Sequence, residues 1–385
     1  MKGHAPISAF PRPRLARLLA SSHGGFDPDC LSLHGWGRDA LYWGLRGLHA
    51  NPETTIWMPA FHCGVEVQAA IDAGMNVAFY PIRDDLTVDL PTLEREFTKQ
   101  PGPLLVIHYF GWPQPGLDRL AELAERHRQV LIEDCAHALF SRSGNQDLGR
   151  TGPMAIFSFY KSLGVFDGGG LRIDAQRLRA LTGRPFQPPI DRRSAWPVYR
   201  AMAKSGLGRL LGPSVRCAYR RWRYGEGVER EEEDVEGVAG THPLLKDGHD
   251  YQRGMSAISR RLMAASEANH VAEARRSNWG RLHQRLSGVS GYHPIFEDLP
   301  KGAVPLFLPI RTPMRRYLRG ALRSEGIETF VFGAFAHPAL TGALAEESAP
   351  LRQTLFGLPV HQNLSDAQVE RVAERTGVFL GRGVR

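Results

Sequence analysis

The 385-residue sequence has few cysteines and no long apolar stretch. Its four cysteines lie far apart and form no Cys-x-x-Cys pair, so their spacing predicts neither a zinc site nor a redox motif, and in so long a chain they are expected to be reduced thiols. No run of 18 apolar residues predicts a transmembrane helix. The first 17 residues mix proline, arginine and histidine without the apolar core of a secretory signal. These absences predict a soluble, cytoplasmic protein without a metal site.

The charge of the chain is unevenly distributed. The net charge is +8, from 48 Lys and Arg against 40 Asp and Glu. Residues 190–224 contain eight arginines and one lysine against one aspartate, and residues 226–236 contain seven acids against one arginine. A basic balance over a whole protein favours nucleic-acid binding. A local excess leaves several hypotheses open: an anionic membrane or lipid-linked substrate, nucleic acid, the acidic neighbour, or solvent.

Short apolar runs alternate with helical patterns in the first half of the chain. The strand-like runs are 55–58, 76–80, 104–108 and 130–134, and helical spacing falls at 38–49, 63–73 and 116–127. Such alternation predicts an α/β fold with a mixed, mostly parallel sheet that is covered by helices. Binding sites in these sheets form at the carboxyl ends of the strands.

A smaller C-terminal α/β domain is predicted for the rest of the chain. The expected domains are 1–245, which includes a proline-rich and charged insertion at 184–245, and 246–385. The elements expected there are, in chain order, a helix over 253–286, strands over 303–310 and 327–332, and a closing helix from Ser365. The sequence Ser-Asp-Ala-Gln at 365–368 has the pattern of a capping box.

Lys161 and Asp134 carry the strongest chemical signal. Lys161 lies between Phe-Ser-Phe-Tyr and three consecutive glycines, where a long cationic side chain contributes little to packing. Partial desolvation of a lysine favours its neutral amine, the form that makes a Schiff base. Asp134 ends an apolar run. It is either the N-cap of a following helix or a carboxylate that pairs with a cationic ring nitrogen, as pyridoxal phosphate requires.

A phosphate site is predicted where a helix begins near residue 37. Gly35-Trp36-Gly37-Arg38-Asp39 places glycines directly before that helix, and free amides at a helix N-terminus bind phosphate. An ordinary loop is the alternative for this short pattern. Ser158, three residues before Lys161, would place a hydroxyl on the same phosphate. The phosphate cradle, the carboxylate and the lysine together indicate a pyridoxal-phosphate site.

These motifs resemble those of the DegT/DnrJ/EryC1/StrS family of sugar aminotransferases, over roughly 37–175 and 250–375. The similar segments are Met58-Pro59-Ala60-Phe61-His62, Val106-Ile107-His108-Tyr109-Phe110-Gly111, Ile132-Glu133-Asp134-Cys135-Ala136-His137, Phe157-Ser158-Phe159 through Lys161 to Gly169, and Gly357-Leu358-Pro359-Val360-His361. The resemblance implies the fold-type-I architecture, pyridoxal phosphate and a homodimer with shared active sites. It further implies an amino-acid donor such as glutamate, and a keto-sugar or nucleotide-sugar acceptor in glycan or natural-product biosynthesis.

The same resemblance implies a role for each site residue. Lys161 would form the Schiff base and move the reacting proton, Asp134 would keep the pyridinium nitrogen protonated, and His137 would lie near the phenolic oxygen. The implied phosphate ligands are Ser158 and the amides of Gly37, Arg38 and Asp39. Candidate substrate residues, which the resemblance does not itself assign, are His108, Asp167 and His337. Family dehydratases carry histidine in place of this lysine, so Lys161 favours transamination.

The sequence departs from the family pattern at several positions. Ser158 precedes Lys161 by three residues instead of five, and Asp167 replaces the usual glutamate. The ring-stacking aromatic falls on Cys63, so the adjacent His62 is expected to cover the cofactor ring. No asparagine occurs at 252–256, where the family has a loop from the neighbouring subunit. These departures indicate a divergent branch. The alternative function is a protein of the same fold with other pyridoxal-phosphate chemistry, or a regulator that binds nucleic acid or a membrane surface through 190–224.

Overall fold

A central seven-stranded sheet organises the computed structural model, which describes residues 5–14, 31–48, 53–186 and 249–382. The first nine strands are β1 (Leu31–His34), β2 (Thr55–Pro59), β3 (Asn76–Tyr80), β4 (Leu104–Ile107), β5 (Leu131–Asp134), β6 (Arg142–Ser143), β7 (Gln146–Asp147), β8 (Met154–Ser158) and β9 (Gly169–Ile173). Strands β6 and β7 pair with each other, and the other seven have the order β1-β9-β8-β5-β4-β2-β3. The pairs from β3 to β8 are parallel, whereas β9 and β1 add antiparallel pairs at one edge. The predicted mixed, mostly parallel sheet is therefore confirmed.

Helices connect the strands and cover the sheet. They are α1 (Gly37–Gly47), α2 (Val65–Asp72), α3 (Leu90–Lys99), α4 (Leu117–Arg126), α5 (Phe159–Ser162) and α6 (Ala175–Thr182). Every residue of the central strands β2, β4 and β5 is buried, which explains why β4 and most of β2 are apolar, whereas β5 ends in the buried carboxylates Glu133 and Asp134. The three predicted helices correspond to α1, α2 and α4, and the four predicted strands to β2–β5.

A small antiparallel sheet and five helices form the C-terminal part of the described chain. These elements are α7 (Ala257–Ala264), α8 (Ala268–Leu286), β10 (Phe307–Arg311), α9 (Arg315–Ser324), α10 (Ala343–Thr354), β11 (Leu355–Pro359) and α11 (Asp366–Arg382). Strand β10 pairs with β11. The capping box before α11 is present, because the amide of Ser365 donates to Gln368 Oε1 at 3.0 Å and the amide of Gln368 donates to Ser365 Oγ at 3.3 Å.

Two predictions for this part of the chain are wrong. The helix expected over 253–286 is two helices, α7 and α8: the hydroxyl of Ser266 donates to the carbonyl of Leu262 at the end of α7, and α8 begins anew after Glu267. The strand expected over 327–332 makes only isolated bridges, from Ile327 and Phe330. Its alternating apolar pattern has another cause, since the ring of Phe332 packs edge-to-face on His137 with centroids 4.7 Å apart.

Several predictions fall on residues that the structure does not describe. The basic segment 190–224 and the acidic segment 226–236 lie outside the described ranges, as does the domain boundary near 245, so these stay predictions. No helix in the described part of the chain is both long and apolar enough to cross a bilayer.

Candidate active site

The sheet topology brings the predicted catalytic segments to one edge. Strand β5 runs parallel to β8, with Asp134 paired to Ile156, so Asp134 and Ser158 end neighbouring strands at the same side. Lys161 follows in α5, directly after Ser158. Strand β1 is antiparallel to β9, which is itself antiparallel to β8, so β1 also points to this edge and delivers the start of α1 there.

Two glycines allow the start of α1 to approach Ser158 closely. A Cβ at Gly37 would lie 3.2 Å from the carbonyl oxygen of Phe157 and 3.3 Å from Cβ of Ser158. A Cβ at Gly169 would overlap the carbonyl oxygen of Trp36, the N-cap residue, which makes no side-chain hydrogen bond to the helix end. The positive end of the α1 dipole therefore adjoins the Ser158 hydroxyl, as a phosphate site requires.

Asp39 and Arg38 use their side chains near this helix end. The Asp39 amide donates to the Trp36 carbonyl at 3.1 Å, and its buried carboxylate lies 2.6 Å from His249 Nε2. Burial raises the pKa of Asp39, against the opposing effects of His249 and Arg38. Burial also lowers the pKa of the Arg38 guanidinium. Asp39 thus contacts the start of the described range 249–382, and phosphate contacts from the Arg38 and Asp39 amides stay predictions.

Asp134 is a buried carboxylate that would gain from a cationic partner. Its Oδ1 accepts a hydrogen bond from the amide of Ala136 at 2.8 Å, and the residues that follow form turns, so Asp134 is not the N-cap of a helix. Burial raises its pKa from 3.8 to about 6, although the ammonium of Lys161 acts in the opposite direction. A nearby ring nitrogen that carries a proton would favour the ionised carboxylate.

His137 presents a buried hydrogen-bond donor. Its Nδ1 accepts from the amide of Phe110 at 3.4 Å, so the proton of the neutral ring is assigned to Nε2. Burial, reinforced by the charge of Lys161, lowers the pKa of His137 well below its ordinary value, and the ring is neutral at pH 7. Nε2 has no hydrogen-bond partner among the described residues, although it is buried. An acceptor oxygen at this place would satisfy it.

Lys161 lies within electrostatic range of the groups around it. It is half-buried on the single-turn helix α5. Its positive charge lowers the pKa of Asp134 and of the Cys63 thiol and disfavours protonation of His137. The structure thus brings the three predicted residues Lys161, Asp134 and His137 together.

His62 and Cys63 occupy different environments. The His62 ring is fully buried, its Nδ1 donates to the Pro59 carbonyl at 3.0 Å, and its Nε2 accepts from the amide of His337 at 3.1 Å. The Cys63 thiol is half-buried and donates to Glu66 Oε2 at 2.8 Å. Burial, followed by the Glu66 charge, raises the pKa of this thiol well above its ordinary value. That His62 covers the cofactor ring stays a prediction, and Cys63 is the more exposed of the two.

The three predicted substrate residues make hydrogen bonds inside the protein. His108 Nε2 lies 3.1 Å from Glu133 Oε2, and its Nδ1 accepts from an amide of the following loop. Asp167 Oδ1 accepts from the Ser256 hydroxyl at 2.8 Å, at the start of α7. His337 Nε2 lies 3.1 Å from Gln68 Oε1. Their substrate roles stay predictions, and each side chain has a structural partner.

The His108–Glu133 pair belongs to a buried network below the site. Ligand atoms of His108, Glu133 and Cys135 lie within 4.8 Å of one another. Burial opposes ionisation of Glu133, but hydrogen bonds from His108 and from the amides of Gly149 and Gly152 outweigh it and lower its pKa. Burial raises the pKa of the Cys135 thiol, which disfavours the thiolate that a metal ion would need. Hydrogen bonds within the fold account for this cluster.

Sequence reasoning missed three charged residues near the site. Glu66 holds Cys63 through both its amide and its thiol, and its charge raises the pKa of Asp134. Arg352 donates to the carbonyls of His62, Gly333 and Phe335 at 2.8–3.0 Å. Arg275 donates to the carbonyls that end α5. Glu66 could have been found from the sequence, because it lies in the first turn of the predicted helix α2. No sequence pattern indicates the two buried arginines, since arginine is usually exposed.

The fold matches that of solved fold-type-I aminotransferases, and the lysine, the carboxylate and the helix terminus lie at one edge of its sheet. The solved structure of the putative sugar aminotransferase Spr1654 from Streptococcus pneumoniae, in its PMP form, matches with a TM-score of 0.69 at 17% identity over 99% of each chain. The model of the DegT/DnrJ/EryC1/StrS aminotransferase family matches residues 29–182. This match covers 154 of the 385 residues, so the chain is similar to the family over that segment, and the family uses pyridoxal phosphate.

Two curated relatives carry different kinds of description. A UDP-N-acetyl-3-dehydro-alpha-D-glucosamine 3-aminotransferase of Acidithiobacillus ferrooxidans is 24% identical over 352 residues, which are 88% of this chain and 80% of the relative. A pleiotropic regulatory protein of Geobacillus stearothermophilus is 28% identical over 357 residues, 90% of this chain and 83% of the relative. Proteins similar to this chain therefore include both an enzyme and a regulator.

Proposed function

We propose that this protein is a pyridoxal-phosphate-dependent aminotransferase that moves an amino group from an amino acid to the keto group of a sugar or nucleotide-sugar. The observation that carries the proposal is the convergence of Lys161, Asp134 and His137 at the sheet edge where α1 begins. Glutamate is the proposed donor. The acceptor class follows the keto-sugar aminotransferase from Acidithiobacillus ferrooxidans, and the proposed setting is glycan or natural-product biosynthesis.

The residues present fit this cofactor. Asp134 offers a buried acceptor for a protonated ring nitrogen, and His137 Nε2 offers a buried donor without a described partner. The α1 terminus at Gly37 and the Ser158 hydroxyl would hold the phosphate group. When bound, pyridoxal phosphate supplies an electron sink that stabilises negative charge at the carbon from which a proton is removed.

The side chains of this chain would carry the proton transfers. The amine of Lys161 would take the proton from the α-carbon of the donor amino acid and return it to the neighbouring carbon. Asp134 keeps a proton on the ring nitrogen by remaining ionised, and the Lys161 charge supports that ionised form. His137 would donate from Nε2 to the phenolic oxygen and would stay neutral, because burial disfavours its protonated form.

A direct test measures cofactor uptake and amino transfer. The purified protein is incubated with pyridoxal phosphate, and we expect a visible absorption band and, after borohydride reduction, a mass increase on the peptide that contains Lys161. Both should disappear in Lys161→Ala and persist in Lys99→Ala, because Lys99 is an exposed helix residue paired with Glu96. Glutamate should bleach the band and a keto-sugar nucleotide should restore it. A wild-type protein that takes up no cofactor would contradict the proposal.

A homodimer with shared active sites in the cytoplasm is part of the same proposal, with a peripheral membrane contact through 190–224 as its extension. Sedimentation would establish the oligomeric state. Co-sedimentation with vesicles would test the extension: partition into anionic but not neutral vesicles supports it, and equal partition opposes it.

A regulator is the second candidate, favoured by the similarity to the Geobacillus stearothermophilus regulatory protein. Such a protein would bind the cofactor, fail to transfer amino groups, and bind nucleic acid with a steep salt dependence. DNA binding measured between 50 and 200 mM salt, beside the amino-transfer assay, separates the two. Amino transfer without DNA binding would exclude the regulator.

A further inference from the structure

Arg275 is a buried arginine whose five guanidinium N–H groups all have acceptors. Only 1% of its surface is exposed. The acceptors are Gln362 Oε1 for Nε at 3.0 Å, the carbonyls of Pro305 and Leu306 for Nη1 at 3.2 and 3.1 Å, and the carbonyls of Lys161 and Ser162 for Nη2 at 3.4 and 2.9 Å. Arg275 therefore joins helix α8 to the end of α5.

These acceptors are all uncharged, which is unusual for a buried cation. Removing a guanidinium from water is unfavourable unless its donors are fully hydrogen-bonded, and a carboxylate is its common partner. Burial lowers the pKa of Arg275, although an arginine stays protonated at neutral pH. The five hydrogen bonds of the rigid, planar guanidinium hold the acceptor groups in fixed relative positions. A neutral or flexible side chain would hold them less well.

The carbonyls at the end of α5 need hydrogen-bond donors from outside the helix. The last four carbonyls of any helix receive no hydrogen bond from within it, and α5 has only four residues. Arg275 satisfies the carbonyls of Lys161 and Ser162, and the Nε2 of Gln362 donates to Ser162 at 3.0 Å as well. The residues before β10 and after β11 are thus tied to the turn that carries Lys161.

We propose that Arg275 is a positioning residue for Lys161: by anchoring α5 to the C-terminal part of the chain, it fixes where the lysine amine lies. The importance of that position for catalysis rests on the proposed function, but the anchoring itself is a property of the protein without cofactor. Loss of the fork would let α5 move away from Asp134 and His137. Reacting groups displaced by about 1 Å lose about a hundredfold in rate.

The test compares Arg275→Lys with the neighbouring Arg276→Lys. Arg276 also donates to main-chain carbonyls, those of Pro300 and Ala303, at 2.9 and 2.5 Å, and neither carbonyl belongs to α5. Reductive methylation with formaldehyde, followed by mass spectrometry of each lysine peptide, gives the reactivity of Lys161 without the cofactor. We expect Arg275→Lys to change the Lys161 rate at least about threefold while Lys99 is unchanged, and Arg276→Lys to change neither.

Cofactor loading provides a second measurement. In Arg275→Lys, borohydride-trapped attachment of pyridoxal phosphate at Lys161 should slow about tenfold or more, and kcat should fall while the donor KM changes less than twofold. Gln362→Ala removes the other side-chain hydrogen bond to α5 and should slow cofactor attachment less. It replaces Arg275→Lys in both measurements if that variant does not fold. Wild-type methylation rates of Lys161 in both variants would overturn the inference, even if their melting temperatures fall. A wild-type protein that binds no cofactor contradicts only the proposed function.

Discussion

Protonation of Asp134 is expected to weaken the binding of pyridoxal phosphate between pH 7 and pH 5. Burial raises the pKa of this carboxyl from 3.8 to about 6, although the Lys161 ammonium opposes the shift. A protonated pyridine ring needs the ionised carboxylate as its partner, so a proton on Asp134 must leave before the pair forms. Acid therefore competes directly with the cofactor at this side chain.

The size of the effect follows from the pKa. A carboxyl with a pKa of about 6 is about nine-tenths ionised at pH 7 and about one-tenth ionised at pH 5, so the affinity should fall about tenfold, or about 1.4 kcal/mol. The folded pKa lies above the unfolded one. The proton on Asp134 therefore stabilises the cofactor-free fold below about pH 4, and this stabilisation is lost as the pH rises through about 6.

Equilibrium dialysis of pyridoxal phosphate at a series of pH values, with wild type and Asp134→Asn, would measure this. The phosphate group of the cofactor also gains a proton near pH 6, but it does so with both proteins. The difference between the two slopes therefore isolates Asp134. We expect the variant to bind more weakly at pH 7 and the wild type to lose about tenfold more affinity on acidification. Parallel slopes would refute the reasoning.

Three further substitutions test the fold around the site. Glu133→Gln, which replaces the charged acceptor of hydrogen bonds from His108 and from the amides of Gly149 and Gly152, should lower the free energy of unfolding by about 1 to 3 kcal/mol in urea denaturation, and a loss below about 1 kcal/mol would show that these bonds are weak. Gly37→Ala should weaken binding of pyridoxal phosphate by about 1 to 3 kcal/mol in dialysis, because the new methyl group crowds Ser158; unchanged affinity would place the phosphate elsewhere. Ser365→Ala should cost about 1 kcal/mol in thermal denaturation and Ser365→Thr much less, whereas equal losses would contradict the capping role.

The core of the sheet was predictable because central parallel strands are buried on both faces. Strand β4, most of β2 and the first half of β5 are apolar for that reason, and the positions of all three strands are confirmed. Strand β9 begins with two glycines, which the sequence pattern assigned to the lysine motif, and β1 alternates leucine with polar residues over only four positions. Strand β9 owes its place to pairing with β8 and β1, and β1 to pairing with β9, which no local pattern encodes.

The candidate site was predictable only where a motif is local in sequence. Asp134 and His137 are three residues apart in the sequence, and Lys161 follows β8, the strand that pairs with β5. His108 directly follows strand β4, but its position after a strand end does not tell which way its side chain points, and it pairs with Glu133 inside the protein. Arg275 contacts Lys161 across 114 positions of sequence, where periodicity and spacing are uninformative.

The electrostatics of the site explain why its three central residues work as a set. The positive charge of Lys161 favours the ionised form of Asp134 and the neutral form of His137. Burial is the main reason why His137 is neutral and keeps a donor at Nε2, and the Lys161 charge reinforces it; at Asp134 the same charge partly offsets the effect of burial and so supports the ionised acceptor. A planar ring with a protonated nitrogen and an oxygen acceptor has the complementary polarity, whereas an apolar ligand would leave both groups unsatisfied. The position of the Lys161 amine thus affects the ionisation of both partners, which is why a tie to its main chain, such as that from Arg275, bears on the chemistry of the whole site.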